Sequence, residues 1–232
     1  MTWSRSGAAL IAAGGMAVFL AACQVAPGET QPPQPAPPSA VSTEAEPTSS
    51  TAPPPEPATA PPVLSAEEQA QLDQEMIAAA KANNVPLVAE LIGRGGNVNT
   101  KDAIQDSAFL YAGAEGFNEV LRLTLAAGAD VTSTNRYGGT ALIPASEHGH
   151  VETVQILIAA GVPVNHVNNL GWTAMQEAIL LNNGGPRQQE VVRLLLDAGA
   201  DPNIRDSEGR TALQNAERLG FTEIAALIRN RG

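Results

Sequence analysis

The run TALIPASEHGHVETVQILIAAGVPVN, Thr140 to Asn165, decides the fold because the chain repeats it. TAMQEAILL begins at Thr173, TALQNAERLGFTEIAALI at Thr211, and a weaker copy, SAFLYAGAEGFNEVLRLTLAAGADVT, at Ser107. Ser107, Thr140 and Thr173 are spaced by 33 residues, and Thr211 follows after 38, which reads as 33 with five inserted. Gly95, Gly128, Gly161 and Gly199 keep the same beat, ahead of GNVN, ADVT, VPVN and ADPN. A fixed period of this length marks a supersecondary unit that must stack on copies of itself to bury its apolar face.

Local chemistry fits helical hairpins. Thr140, Thr173 and Thr211 each stand where a hydroxyl can cap the first helix of a unit. Thr173 with Gln176, Thr211 with Gln214, and Ser65 with Glu68 have capping-box spacing. Val154, Leu157 and Ile158, and likewise Val192, Leu195 and Leu196, lie at helical intervals and predict core. Gly128, Gly161 and Gly199 follow the second helices, where a left-handed C-cap suits glycine. Pro144 falls within or just past the first turn of its helix, a place where proline is expected to break little.

These motifs resemble the ankyrin repeat, over about 168 residues. The resemblance implies an all-α solenoid of about five helix-turn-helix repeats joined by β-hairpin-like turns, preceded by a disordered tether. The repeats fall at about 65–101, 102–134, 135–167, 168–205 and 206–232. The first and last carry polar helix faces suited to end caps. Ala replaces the family's Pro at the first helical position, and no repeat keeps the family's His in its Thr-Pro-Leu-His motif, so some polar ties between neighbouring repeats must be made otherwise. The run NNLGWTA and the long fourth-repeat loop LNNGGPRQQEVV resemble a set of bacterial repeat proteins. Asn183, Gly184, Gly185 and Pro186 in that loop are turn formers, and a solvent loop is the plain expectation.

The N-terminal part reads differently. Arg5 precedes an uncharged run from Gly7 to Ala22, 16 residues long. That is short of the roughly 20 needed to span a bilayer as a helix, and fits an export signal over residues 1–22. Leu20-Ala21-Ala22-Cys23 resembles a bacterial lipobox, with Cys23, the only cysteine in the chain, as the lipidated first residue of the mature protein. In enterobacterial lipoproteins an Asp after the cysteine retains the protein in the inner membrane, so Gln24 resembles an outer-membrane lipoprotein, and the expected location is the outer membrane facing the periplasm. Residues 23–64 form the tether: between 24 and 62 there are 13 prolines and four glutamates but no base. Such a segment cannot bury enough apolar surface to fold, and extended polyproline would reach on the order of 100 Å.

Net charge is −11. That argues against nucleic acid, which requires a basic surface. No catalytic constellation is evident. The histidines are His148, His150 and His166 only, and the spacing of His148 and His150 does not suit zinc on a helix. There is no cysteine for ligation, no Gly-rich phosphate loop and no nucleophile elbow. Asp130 and Asp201 read as turn residues. No enzyme, metal or cofactor is expected, and a monomer is the default.

Binding remains. The family resemblance implies contacts at the turn tips, here Ile104 and Asp106, Arg136 and Tyr137, Leu170 and Trp172, Glu208 and Arg210. It also implies contacts from inner-helix positions Glu115, Glu147, His148, Leu180 and Arg218. Tyr137 and Trp172 stand out because aromatic residues and arginine are enriched in binding hot spots. For Trp172, packing against the next turn is an equally good account. The leading expectation is a lipid-anchored envelope module binding an unidentified protein on its concave face. Alternatives are a glycan- or small-ligand-binding lipoprotein using the fourth-repeat loop, an immunity protein for a bacterial effector, and a purely structural domain.

Overall fold

A computed structural model describes residues 64–231. The export signal, Cys23 and nearly all of the tether lie outside the described residues. Ten helices follow in antiparallel pairs: α1 Ala66–Lys81 with α2 Val85–Gly93, α3 Ala108–Glu115 with α4 Asn118–Ala126, and α5 Leu142–Glu147 with α6 Val151–Ala159. α7 Ala174–Leu180 pairs with α8 Pro186–Asp197, and α9 Ala212–Leu219 with α10 Thr222–Arg231. Among the described residues there is no strand. The odd-numbered helices pack on one another in one layer and the even-numbered helices in a second. This is the ankyrin solenoid with one helix pair per repeat.

The core runs continuously between the layers. Val154, Leu157, Val192 and Leu195 are fully buried, with Ile158 and Leu196 packed partly buried against them. Phe109 and Met175 are the bulkiest members of the inner layer in their repeats, and alanines such as Ala112, Ala145 and Ala178 let successive inner helices approach. With so few aromatics, close backbone approach substitutes for side-chain bulk.

Capping follows the sequence in four of five repeats. Ser65, Thr173 and Thr211 each complete a capping box, and Ser107 accepts from Leu110 N–H. The third repeat departs from expectation. Its inner helix has only six residues, starts after Ala141, and has no side-chain cap. Pro144 is the reason. In the neighbouring repeats the fourth N–H beyond the cap bonds the cap carbonyl: Tyr111 to Ser107, Glu177 to Thr173, Asn215 to Thr211, each at 3.0 Å. Pro144 has no N–H, so the Thr140 carbonyl takes Ile143 N–H instead, at 3.1 Å. That draws away the donor the Thr140 hydroxyl needs. Thr140 Oγ1 is the one buried side-chain polar atom without a partner among the described residues. The proline therefore costs more than its position suggests.

Between repeats, each turn is built on one side chain. Asp102, Asn135, Asn168 and Asp206 each accept two backbone N–H groups, two and four residues on, with bonds of 2.9–3.0 Å. Each also donates its own N–H to the carbonyl four residues on, closing the turn. These are Asx turns, in which a short polar side chain imitates backbone. The missing family histidine is replaced by other ties. Gln176 Nε2 donates to Ile204 O at 2.9 Å, and His166 Nε2 reaches Gly138 O at 2.6 Å.

Candidate functional site

The inner helices and the turns of the middle repeats enclose a groove of about 350 Å³. Its floor comes from α3, α5 and α7, and its rim from the turns at 135–139 and 168–172. Seven of the residues expected to meet a partner line it: Asp106, Arg136, Tyr137 and Leu170 from the turns, and Glu115, Glu147 and His148 from the inner helices. Tyr137 is 53% exposed and Leu170 49%. Both are held out by Asx turns, because Tyr137 N–H bonds Asn135 and Leu170 N–H bonds Asn168.

The aromatic and the arginine act together. The Arg136 guanidinium lies 4.8 Å from the Tyr137 ring centroid, and it approaches Asp106 at 3.7 Å. Asp106, expected at an exposed tip, is instead buried and also faces Lys81 at 3.4 Å. Lys81 bonds Asp102 at 2.5 Å and stands over the Tyr111 ring. His148 Nδ1 donates to Ala114 O at 2.8 Å, which fixes its ring between the second and third repeats. Its neighbour His150 sits edge-on to it, 5.5 Å between centroids, and packs over Gly116. Burial lowers the His150 pKa, and the charge of His148 adds to that effect. Among the described residues no group of three or more His, Cys, Asp or Glu is placed to hold a metal.

Other expected contacts fall outside the groove. Trp172 is half-buried, its N–H and carbonyl both committed to Asn168. Glu208 and Arg210 pair with each other in the last turn, and Arg210 Nε donates to Asn215. Arg218 also reaches Asn215, and Leu180 is half-buried. The fourth-repeat loop is packed rather than free. Asn182 donates to Glu147 O at 2.7 Å and accepts from Gln188, Pro186 starts α8, and Gly184 lies against the Phe221 ring. None of residues 183–187 lines the groove.

Of the groove residues that the sequence did not single out, which include Tyr111, Asn168 and Leu181, Glu177 bears most on the site. Glu177 lies in α7, 6% exposed, and accepts from Asn168 Nδ2 at 2.7 Å. Burial, and then the charge of Glu147, push its pKa up to about 7, opposed by the Asn168 bond and the charge of His148. Its position matches Asn215 in the next repeat and Pro144 in the one before, so the repeat pattern alone did not single it out. The available signal was its fourth place after Thr173, on the same helix face as the polar turn.

Comparison with known proteins agrees with this architecture. Family models described as ankyrin repeats (3 copies) match residues 76–165 and 109–206, and one described as ankyrin repeats (many copies) matches 186–227. A crystal structure of an ankyrin repeat domain from Acinetobacter baumannii AYE is 58% identical, with a TM-score of 0.67, covering 68% of this chain and 80% of that one. The ankyrin repeat protein EF0377 is 39% identical with a TM-score of 0.66, over 68% of this chain and 80% of its own. The ankyrin repeat protein YahD of Escherichia coli (strain K12) is 52% identical over 52 residues, 22% of this chain. That match spans 26% of the length of YahD. Ankyrin repeats generally serve to bind other proteins, and the chain belongs to the ankyrin-repeat family.

Proposed function

We propose that the chain is a non-enzymatic, lipid-anchored protein of a bacterial cell envelope whose solenoid binds a protein partner on its inner-helix face, scaffolding or regulating a periplasmic or outer-membrane protein. The observation that carries the binding reading is the groove. Exposed Tyr137 and Leu170, with Arg136, Glu147 and His148, converge there on one surface. A preorganised aromatic anchor beside an apolar one and charged groups is the usual composition of a binding centre. Support for anchoring is the lipobox-like sequence ending at Cys23. A tether after it would raise the local concentration of the solenoid near an envelope partner.

Crosslinking pull-down from intact cells tests the binding reading. Wild type is compared with Tyr137→Ala plus Leu170→Glu, after both are shown to fold alike. Capture of a discrete protein by wild type and its loss in the variant is the expected result. Equal capture would move the site off the groove. Labelling with a palmitate analogue, lost in Cys23→Ala, tests the anchor; label that persists in the variant would overturn it.

A further inference from the structure

Most buried acids of the solenoid are accounted for by a partner in the chain itself. Asp73 takes Asn97 N–H, the Thr100 hydroxyl and the Gln69 amide. Asp106 faces Lys81 and Arg136. Asp206 takes two turn N–H groups and the Asn215 amide, and stands 3.8 Å from Arg210. Glu177 is the exception. The Asn168 amide meets Oε1, but no hydrogen bond reaches Oε2, and no cation of the chain is within salt-bridge distance among the described residues. Oε2 is thus left open to the groove, and a carboxylate on so buried a residue with no cation beside it is costly and normally paired.

Glu177 also faces an opening. It lines the groove together with Glu147 and Glu115, neither of which has a cationic partner among the described residues. Of the groove's own basic groups, Arg136 is held by Asp106 and Tyr137, while His148 is fixed on Ala114 O and acts on Glu177 through its charge alone, beyond salt-bridge distance. Its walls include Leu170 and Leu181, both close to half exposed. The cavity is thus acidic at its floor and apolar at its edge. That is complementary to a side chain that ends in a cation and reaches it through methylenes.

We propose that the groove receives a lysine or arginine side chain on an extended segment of a protein partner, its cation set against the free oxygen of Glu177 beside Glu147 and its methylenes against Leu170 and Leu181. This rests on the protein-binding reading above and names the chemistry of the partner. Tyr137 and its Arg136 cap the other side of the groove and would meet the segment flanking the basic residue. The floor acid gives the site a preference for a basic residue over a neutral one of equal length, because the neutral residue would leave Glu177 buried and unpaired.

A displayed library of linear peptides, selected on the full chain and separately on Glu177→Gln, tests this. Gln can still accept from Asn168, so the variant keeps the internal bond. The expected result is enrichment of Lys or Arg at one position on wild type, absent on Glu177→Gln. The best peptide should lose affinity about tenfold or more when its arginine becomes citrulline or its lysine norleucine, or when Glu177 becomes Gln. Titration near pH 7 in two buffers of different ionisation enthalpy should show proton release on binding, because pairing draws Glu177 into its charged form. Peptides that bind the groove without a basic residue, or a basic preference unchanged in Glu177→Gln, would overturn the inference and leave the protein-binding reading standing. Failure to enrich any peptide on the groove would sink both. Binding of free butylamine as tightly as the peptide would reassign the site to a small amine and overturn the proposal as stated.

Discussion

The Asn168 amide donates to the Glu177 carboxylate across 2.7 Å, and one repeat later Asn215 donates to Asp206 across 2.7 Å in the same nine-residue relationship. The acid and the amide have changed places. In the fifth repeat the acid sits in the turn, where burial is outweighed by the Asn215 amide, then the turn N–H groups and the charge of Arg210, so that its pKa is lowered. In the fourth the acid sits on the helix, facing the groove and Glu147, and its pKa is raised. One exchange of residue types moves the acid from the turn, where the chain neutralises it, to the lining of the groove.

Glu177 makes stability depend on pH in a definite direction. Its folded pKa, about 7, lies above the ordinary glutamate value. Between these values the folded state holds the proton more tightly than the unfolded state. Its contribution is therefore fully present at low pH and is lost as pH rises toward and through 7. Glu177→Gln should remove this loss. Urea unfolding at pH 5 and pH 8 should show the variant gaining on wild type at the higher pH, by on the order of 2 kcal/mol. A difference between the two proteins that does not change with pH would contradict the assignment.

The exchanged pair gives a double-mutant cycle. Asn168→Asp keeps the Asx turn but sets a second acid against Glu177, so it should destabilise by about 2 kcal/mol at pH 8 and less at pH 5. Adding Glu177→Gln restores an acid–amide pair in the orientation of the fifth repeat. The double variant should recover most of the loss at pH 8, read by chemical denaturation.

Thr140 and Thr173 occupy the same place in adjacent repeats yet differ in partners. Thr140 Oγ1 is buried and unbonded, whereas Thr173 Oγ1 accepts from Gln176 N–H. Thr140→Val should therefore be neutral or slightly stabilising, while Thr173→Val should cost about 1 kcal/mol. Equal costs from thermal unfolding would contradict the explanation built on Pro144.

Gly184 and Gly209 both have positive φ, +67° and +77°. A Cβ at Gly184 would come within 2.6 Å of the Phe221 ring, whereas one at Gly209 would meet nothing. Gly209→Ala should cost about 1 kcal/mol for the backbone alone, and Gly184→Ala clearly more. The inserted loop is thus a packing element between the fourth and fifth repeats, checked by the relative melting temperatures of the two variants.

The repeat was legible because one period runs through caps, core and glycines together: Thr173, Leu195 and Gly199 each recur on it. The Asx-turn residues Asp102, Asn135, Asn168 and Asp206 keep the same spacing and could have been found by it. Pro144 was legible as a proline but not as a thief of the Thr140 cap, because that effect runs through a carbonyl four residues away. Tyr137 and Leu170 were legible as exposed tips. Asp106 was not recognised as buried, since its burial depends on Lys81 and Arg136 arriving from two neighbouring repeats. Glu177 was hidden for a related reason: its environment is set by Asn168 and Glu147, which the chain brings together only when folded.

The most direct test is site-specific photo-crosslinking in intact cells. A crosslinking residue would be placed at Tyr137, on the groove, or at Glu119, exposed on α4 of the opposite layer. One discrete protein adduct is expected from position 137, weakened by Glu177→Gln, and none from 119. An adduct from 119 with none from 137 would contradict groove binding, because the partner would then dock on the outer helices.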